Sequence, residues 1–477
     1  MGAVGAPVAR LRLSEHPLQR CGAWAVAVLC DRERPEQVSG SDLDAVAERV
    51  VSDVVVAATA RPDTAAYDWW KVLFALYPNS RATHAKRERD PARLRPEIGA
   101  MFAPDPAEGA LLPCTFCGEP CSVLWSKSML PMFDSVRAVN TLPPGLAGWP
   151  VCRSCRVALW ALPYGAWVTA GSATVVTSDS QMVERRVVAR NVRRAGRILQ
   201  SGFEGLPAGA GPEAVTLQAL RAHSTERAVT ATLWTFKNDN QEPWLRITAT
   251  RSGVARFLAL MLSDSDCRQG WWKLRKHLEW RDKSGRVIQD GATAAARTLF
   301  DPDGRQVDRL PAELLRLAKD TDRVTESTLF EWRALCRLYL EVMHEMKTDI
   351  GELKKLAGLL VDWIDDKQNP RSKFNEYRQV AGSGYELHKL LMRAMSRLYL
   401  DGRKPLDITG ITNRGLFEPG SPGWLLRAQL FFEVMAELAK RDISIAGKAD
   451  DTDEDEQAEM RFDLSADPLS TDEEEYA

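Results

Sequence analysis

Histidine is scarce in this chain. Only six occur, His16, His84, His223, His277, His344 and His388, and no two are close in sequence. The paired-histidine ligand sets of catalytic zinc sites therefore have no local basis here. Also missing are a G-x-x-x-x-G-K-[ST] phosphate loop, a G-x-S-x-G elbow and an H-E-x-x-H helix. Each of these builds its chemistry from residues adjacent in sequence, so phosphate-loop, serine-hydrolase and zinc-protease mechanisms lack their signature. No apolar run approaches the ~18 residues a membrane span needs; residues 23–29, the longest candidate, are strand-sized. The N-terminus lacks the basic, apolar and small-residue order of a secretory signal. The expected compartment is therefore the reducing cytoplasm, where the nine cysteines favour thiolate–metal bonds over disulfides.

The 477 residues suggest roughly three domains. A net charge of −2 conceals an asymmetry. Residues 450–477 hold thirteen acidic residues and one basic one, Arg461, a charge of −12 that leaves residues 1–449 at +10. A basic body with an acidic tail is the pattern of proteins that meet polyanions, although a solvated surface with a solubilising tail has the same composition.

Four cysteines stand out against this background. Cys114-x-x-Cys117 and Cys152-x-x-Cys155 are separated by 34 residues. Each pair places two thiolates on one ion, and together they complete a tetrahedral site, read here as structural zinc. Four thiolates leave no open position for water, so the site is expected to staple rather than catalyse. Gly118 after the second cysteine permits a tight backbone return. Lys127, Arg153 and Arg156 lie nearby to offset the net negative charge, and Cys121 is the fifth-choice ligand. Cys21, Cys30, Cys267 and Cys336 read as core or incidental thiols.

Periodicity organises the rest. Residues 42–60 have the apolar stripe of a helix, whereas 11–30 fit strand or short helix. At residues 182–199, Val188, Val192, Ala195 and Leu199 form one face. Arg186, Arg190, Arg193 and Arg197 repeat the same spacing roughly 200° away, with Glu184 the one opposing acid. Arginine binds phosphate bidentately and stacks on bases, so this row is the strongest nucleic-acid signal; a salt-bridged surface helix is the bland alternative. Basic stretches at 81–95 and 270–286 are weaker signals. Residues 229–250 read as a strand pair around Lys237, Asn238, Asn240 and Gln241. Those side chains suit base edges, but Asn and Asp also suit a turn for backbone reasons. From 310 onward helical spacing dominates, at 310–320, 328–347, 352–366, 384–400 and 423–440.

The expected architecture is α+β. A mixed N-terminal body (1–308) carries a zinc-stapled insertion (111–167), followed by a C-terminal helical bundle (309–445) and a disordered acidic tail (446–477). No catalytic residue is assigned. The Cys-Thr-Phe-Cys-Gly knuckle, the run from Trp149 through Cys155 and Ala158 to Gly165, and Trp234-Thr-Phe-Lys-Asn238 with Gln241 together resemble the CRISPR-associated CXXC–CXXC family. These are large subunits of type I Cascade, an RNA-guided surveillance complex in antiviral defence. The resemblance covers residues 10–445; its specific part is the cysteine segment, the acidic tail falls outside it, and the arginine row matches no family motif. It implies a cytoplasmic, non-enzymatic protein whose partners are guide RNA, target double-stranded DNA, other Cascade subunits and a helicase–nuclease recruited in trans, with no membrane. It also implies recognition of the motif flanking the target, the PAM, and a C-terminal bundle like the subunits that hold the displaced strand. Guide pairing would then supply sequence specificity, leaving the protein to read shape and a short flank. The alternatives are a stand-alone zinc-containing nuclease and a zinc-stapled interaction protein that binds no nucleic acid.

Overall fold

A computed structural model describes residues 10–443, apart from 85, 107–110, 132–147, 207–208, 223–227, 239–242, 303–304, 319–323, 347–349, 366–368, 404–414 and 419. The fold is mixed α and β, dominated by helices with small antiparallel sheets. The acidic tail lies outside the described residues. The chain divides into two compact units with the boundary at Thr250 and Arg251.

The first unit is built around one buried helix. Its helices are α1 (Pro17–Leu29), α2 (Gly40–Thr59), α3 (Ala65–Leu76), α4 (Pro91–Ala100), α5 (Arg153–Gly165), α6 (Gln181–Ser201) and α7 (Pro212–Arg221). Residues 154–165 of α5 are all buried, and α1, α2, α3 and α6 pack around this helix. Helix α1 approaches α5 very closely: a Cβ on Gly22 would sit 1.9 Å from the carbonyl oxygen of Ala158. Only glycine permits that crossing.

Pro163 lies within α5 and has no N–H for the carbonyl of Leu159 four residues earlier. The Tyr77 hydroxyl donates to that carbonyl instead, and its ring stacks on Trp160 with centroids 4.3 Å apart. Asn191 Nδ2 donates to the carbonyl of Gly165 at the helix end, over 2.7 Å. Tertiary side chains thus satisfy acceptors that the sequence of α5 leaves open. Tyr77→Phe is expected to strand the Leu159 carbonyl and cost about 1–3 kcal/mol, measured as a lower midpoint in urea unfolding. An unchanged midpoint would refute this role.

The strands are β1 (Leu112–Pro113), β2 (Pro120–Cys121), β3 (Leu124–Trp125), β4 (Trp149–Pro150), β5 (Trp167–Val168), β6 (Ala173–Ser178), β7 (Ala231–Lys237) and β8 (Trp244–Thr250). The last four are antiparallel in the order β8-β7-β6-β5, with Trp234 facing Val175 on one side and Ile247 on the other. The strand pair expected at 229–250 is therefore present. Its turn, with Asn240 and Gln241, lies outside the described residues.

The second unit contains α8 (Val254–Ser263), α9 (Ser265–Leu278), α10 (Gly291–Arg297), α11 (Arg309–Ala318), α12 (Glu326–Met343), α13 (Ile350–Ile364), α14 (Pro370–Val380), α15 (Gly384–Leu400) and α16 (Ser421–Lys440). Helix α12 packs against α8, α9, α11 and α16. That is why the division falls near 250 rather than at the expected 308: α8 and α9 bury their apolar faces with the later helices. At the C-terminal end of α12, buried Asp308 accepts from the Tyr339 hydroxyl at 3.0 Å and pairs with Arg251 at 2.9 Å. Helix α14 was not expected, because only Phe374 and Tyr377 of its side chains are buried.

Candidate metal centre and arginine groove

The four expected cysteines converge. The Sγ atoms of Cys114, Cys117, Cys152 and Cys155 all lie within 4.8 Å of one another, and Cys117 and Cys152 are 3.5 Å apart. A tetrahedral ion with ~2.3 Å metal–sulfur bonds needs sulfurs about 3.8 Å apart, so the set fits a structural divalent metal. All four are free thiols.

Two local structures aim them. Cys114 leaves β1, and the backbone turns at Gly118 with φ +76°, where the Gly118 N–H donates to the Cys114 carbonyl over 2.9 Å. Cys114 N–H donates to the Glu119 carbonyl at 2.8 Å and closes the knuckle. Cys152 is the N-cap of α5, and Cys155 lies in its first turn. The positive end of the helix therefore faces the thiolates. Thr115 N–H donates to the Pro150 carbonyl at 2.8 Å, joining the two halves. Buried Gln19 on α1 directs Nε2 at Cys155 Sγ over 3.6 Å.

The cluster's acidity follows from its crowding. Hydrogen bonds from Cys117, Cys152 and Cys155 pull Cys114 well below the ordinary thiol range. Cys155 is held far above that range by its neighbours, Cys114 first, and then by burial. A cation that replaces the retained protons lets all four ionise. Arg156, almost fully buried, donates to the Met101 carbonyl at 2.6 Å and the Ala103 carbonyl at 2.9 Å, and pairs with Asp105. Arg153 donates to the Phe102 carbonyl at 2.7 Å and pairs with Asp44 at 2.5 Å. Cys121 stays outside the cluster, its thiol pushed up to about 12, first by burial.

The expected insertion at 111–167 needs correction. Its second cysteine pair opens α5, the central helix of the unit, so an ion held there would join two short strand pairs to an existing core.

The arginine row forms on α6 as its spacing predicts. Glu184 turns away from it and is buried. Its carboxylate accepts from Arg20 Nε at 2.7 Å, Trp24 Nε1 at 2.9 Å and the Ser178 N–H at 2.9 Å. Among the described residues no carboxylate pairs with Arg186, Arg190, Arg193 or Arg197. Arg186 donates to the Ala222 carbonyl at 2.7 Å, and Arg190 to Gln218 on α7. Arg193 and Arg197 are exposed. Arg194 lies over the Trp167 ring at 4.1 Å and donates to the Val168 carbonyl at 2.6 Å; burial lowers its pKa to about 10. Together with α7 and the chain after Phe203, the row lines a groove of about 780 Å³.

Several of the other basic candidates are held within the fold. Arg81 pairs with Glu97 at 3.2 Å, Arg95 pairs with Glu48, and Arg87 donates to the Ala58 carbonyl at 2.9 Å while lying over Trp70. In the 270–286 stretch, Lys273 pairs with Glu331 and Arg281 with Glu279, each at 2.7 Å. Asn238 is buried: its N–H donates to the Ala75 carbonyl at 3.2 Å and its Nδ2 to the Leu76 carbonyl at 2.7 Å. It ties the end of β7 to α3, which takes it away from any base edge. Lys237 ends β7 and is half-buried. The groove wall opposite the row was not foreseen, because Phe203, Leu206, Val215 and Ala219 carry no motif. Among the described residues no helix is long and apolar enough to cross a membrane. No family model, no curated protein and no solved structure matches the chain.

Proposed function

We propose that this protein is a non-catalytic, zinc-stapled, nucleic-acid-binding large subunit of an RNA-guided surveillance complex of the type I Cascade kind. The observation that carries the nucleic-acid reading is the α6 row: four arginines at helical spacing, lining one groove, with no carboxylate partner among the described residues. Unpaired guanidinia clustered on one face repel one another and favour a polyanion. Zinc is the ion assigned to the four-thiolate set, since soft sulfur ligands and tetrahedral geometry select it. The closed ligand set gives the ion a structural role.

The resemblance of the cysteine segment to the CXXC–CXXC family supplies the rest of the proposal. The protein contacts guide RNA and target DNA, reads the motif flanking the target, and helps recruit a helicase–nuclease in trans. The 81–95 and 270–286 stretches are left out of the proposed binding surface, because Arg81, Arg95, Lys273 and Arg281 are paired with carboxylates within the fold and neither stretch forms a continuous row like that of α6.

The test is co-expression with a guide RNA and the remaining subunits of such a complex, followed by affinity purification through this chain. Stoichiometric recovery of RNA and subunits is expected. A chain that purifies alone, binding neither RNA, duplex nor those subunits, would overturn the assignment. Cleavage of labelled nucleic acid by the pure protein with Mg²⁺ would favour the nuclease alternative.

A further inference from the structure

We infer that the α6 groove holds a single strand of nucleic acid by its backbone, independently of sequence and in preference to a duplex. This rests on the nucleic-acid reading above and names the form of ligand the groove accepts.

The first argument is shape. From Arg186 to Arg197 the helix rises roughly 16 Å, so a groove of about 780 Å³ has a mean cross-section on the order of 50 Å². That admits one sugar–phosphate strand with its bases. A double helix, with two strands side by side, needs more than twice that cross-section.

The second argument is spacing. Successive arginines of the row are three or four residues apart, about 4.5–6 Å along the axis. This is the scale on which successive phosphates follow one another along one strand. Arg186 and Arg190 are braced by α7, through the Ala222 carbonyl and the Gln218 side chain, and each retains further N–H donors. Arg193 and Arg197 are exposed and make no hydrogen bond or ion pair among the described residues. Two guanidinia are thus pre-positioned and two are free to adjust, giving four phosphate contacts in line.

The third argument is polarity. One wall is cationic; the other is lined by half-buried Phe203 and Leu206, by the buried edges of Val215 and Ala219, and by Gln218. A single strand has the matching asymmetry, with phosphates on one side and base faces on the other. A duplex hides its base faces and meets the apolar wall with phosphates on both edges. The one amide on that wall, Gln218, already accepts from Arg190 through its Oε1 and so cannot offer a free bidentate edge to a base, so the recognition follows the backbone.

The test measures fluorescence anisotropy of the full chain with labelled rU12, dT12 and a mixed-sequence 12-base-pair duplex, at several salt concentrations. At least one single strand is expected to bind ten-fold or more tightly than the duplex. The rU12 and dT12 arms identify RNA or DNA as the source by which binds tighter; equal binding assigns the groove to either backbone. Each phosphate contact contributes about 0.7 to the log–log salt slope for a single strand. Arg193→Ala with Arg197→Ala should therefore lower that slope by about 1.4, and Arg193→Lys with Arg197→Lys should restore most of it. Both residues are exposed, and matching circular dichroism spectra would verify that the variants fold. Duplex binding as tight as that of the tighter-binding single strand would overturn the inference, as would an unchanged single-strand slope in the alanine variant. Failure of all three probes to bind would overturn the nucleic-acid reading itself.

Discussion

Replacing Cys114 and Cys117 together by serine is expected to release one metal ion per chain and to loosen the two hairpins at β1–β2 and β3–β4. A closed four-thiolate zinc site contributes on the order of 10–16 kcal/mol of local folding free energy, and two serines cannot hold the ion. The hairpins are short and depend on that anchor: β1 to β4 are each two residues long. Helix α5 should respond less, because α1 and α6 enclose it and Tyr77, Asn191 and Gly22 fit it from outside. Metal content by mass spectrometry and limited proteolysis check both parts. Expected are a fall from one equivalent of zinc to none and new cleavage around residues 112–130, with the α5 peptide protected. Unchanged metal content would refute the ligand set, and early cleavage within α5 would refute its independence.

The second large effect concerns the row itself. Substituting Arg186, Arg190, Arg193 and Arg197 by alanine is expected to abolish most nucleic-acid affinity at physiological salt. Four lost contacts remove about 2.8 from the salt slope on a single strand. Binding should fall by two to three orders of magnitude near 0.1 M salt, at about 1 kcal/mol per contact. Folding should survive, because the apolar face of α6 and the buried Glu184 pair with Arg20 are untouched. Equilibrium binding measured from 50 to 300 mM salt, with a thermal melt as control, is the measurement. A variant that keeps the wild-type slope would assign the row to another role, such as contact with an acidic protein. The opposite control is Arg81→Ala with Arg95→Ala: those residues already have carboxylate partners, Glu97 and Glu48, so little binding should be lost.

Part of this was legible in the sequence because it depends on local spacing alone. A C-x-x-C pair followed by glycine puts two sulfurs on one ion whatever surrounds it. The helical period at 182–199 puts arginines on one face and valines on the other, and the structure keeps both faces. The strand pair at 229–250 follows from alternating residues around a polar turn. The helix at 40–59 follows likewise from its apolar stripe, with Ser39 and Asp42 exchanging bonds at its start.

What failed depended on partners far away in the chain. Asn238 looks like an exposed turn amide until the carbonyls of Ala75 and Leu76 arrive to accept from it. Glu184 looks like the counter-charge of the arginines until Arg20 and Trp24 claim it from 160 or more residues away. Pro163 and Gly165 mark the end of α5 in the sequence and the helix does end at Gly165, but only the fold shows that Tyr77, 82 residues from Leu159, donates to the carbonyl that Pro163 leaves open. Helix α14 carries too few buried side chains for its periodicity to register.

By itself, then, the sequence determined which four sulfurs come together in metal-binding range and which face of α6 is cationic, since both follow from spacings of a few residues along a regular backbone. Only the tertiary structure decided that the four-cysteine cluster sits on the core helix and that the arginines are without carboxylate partners among the described residues. It alone supplied the apolar wall of the groove. Pairing, burial and cavity shape are set by which segments meet across the fold, and no local pattern encodes that meeting.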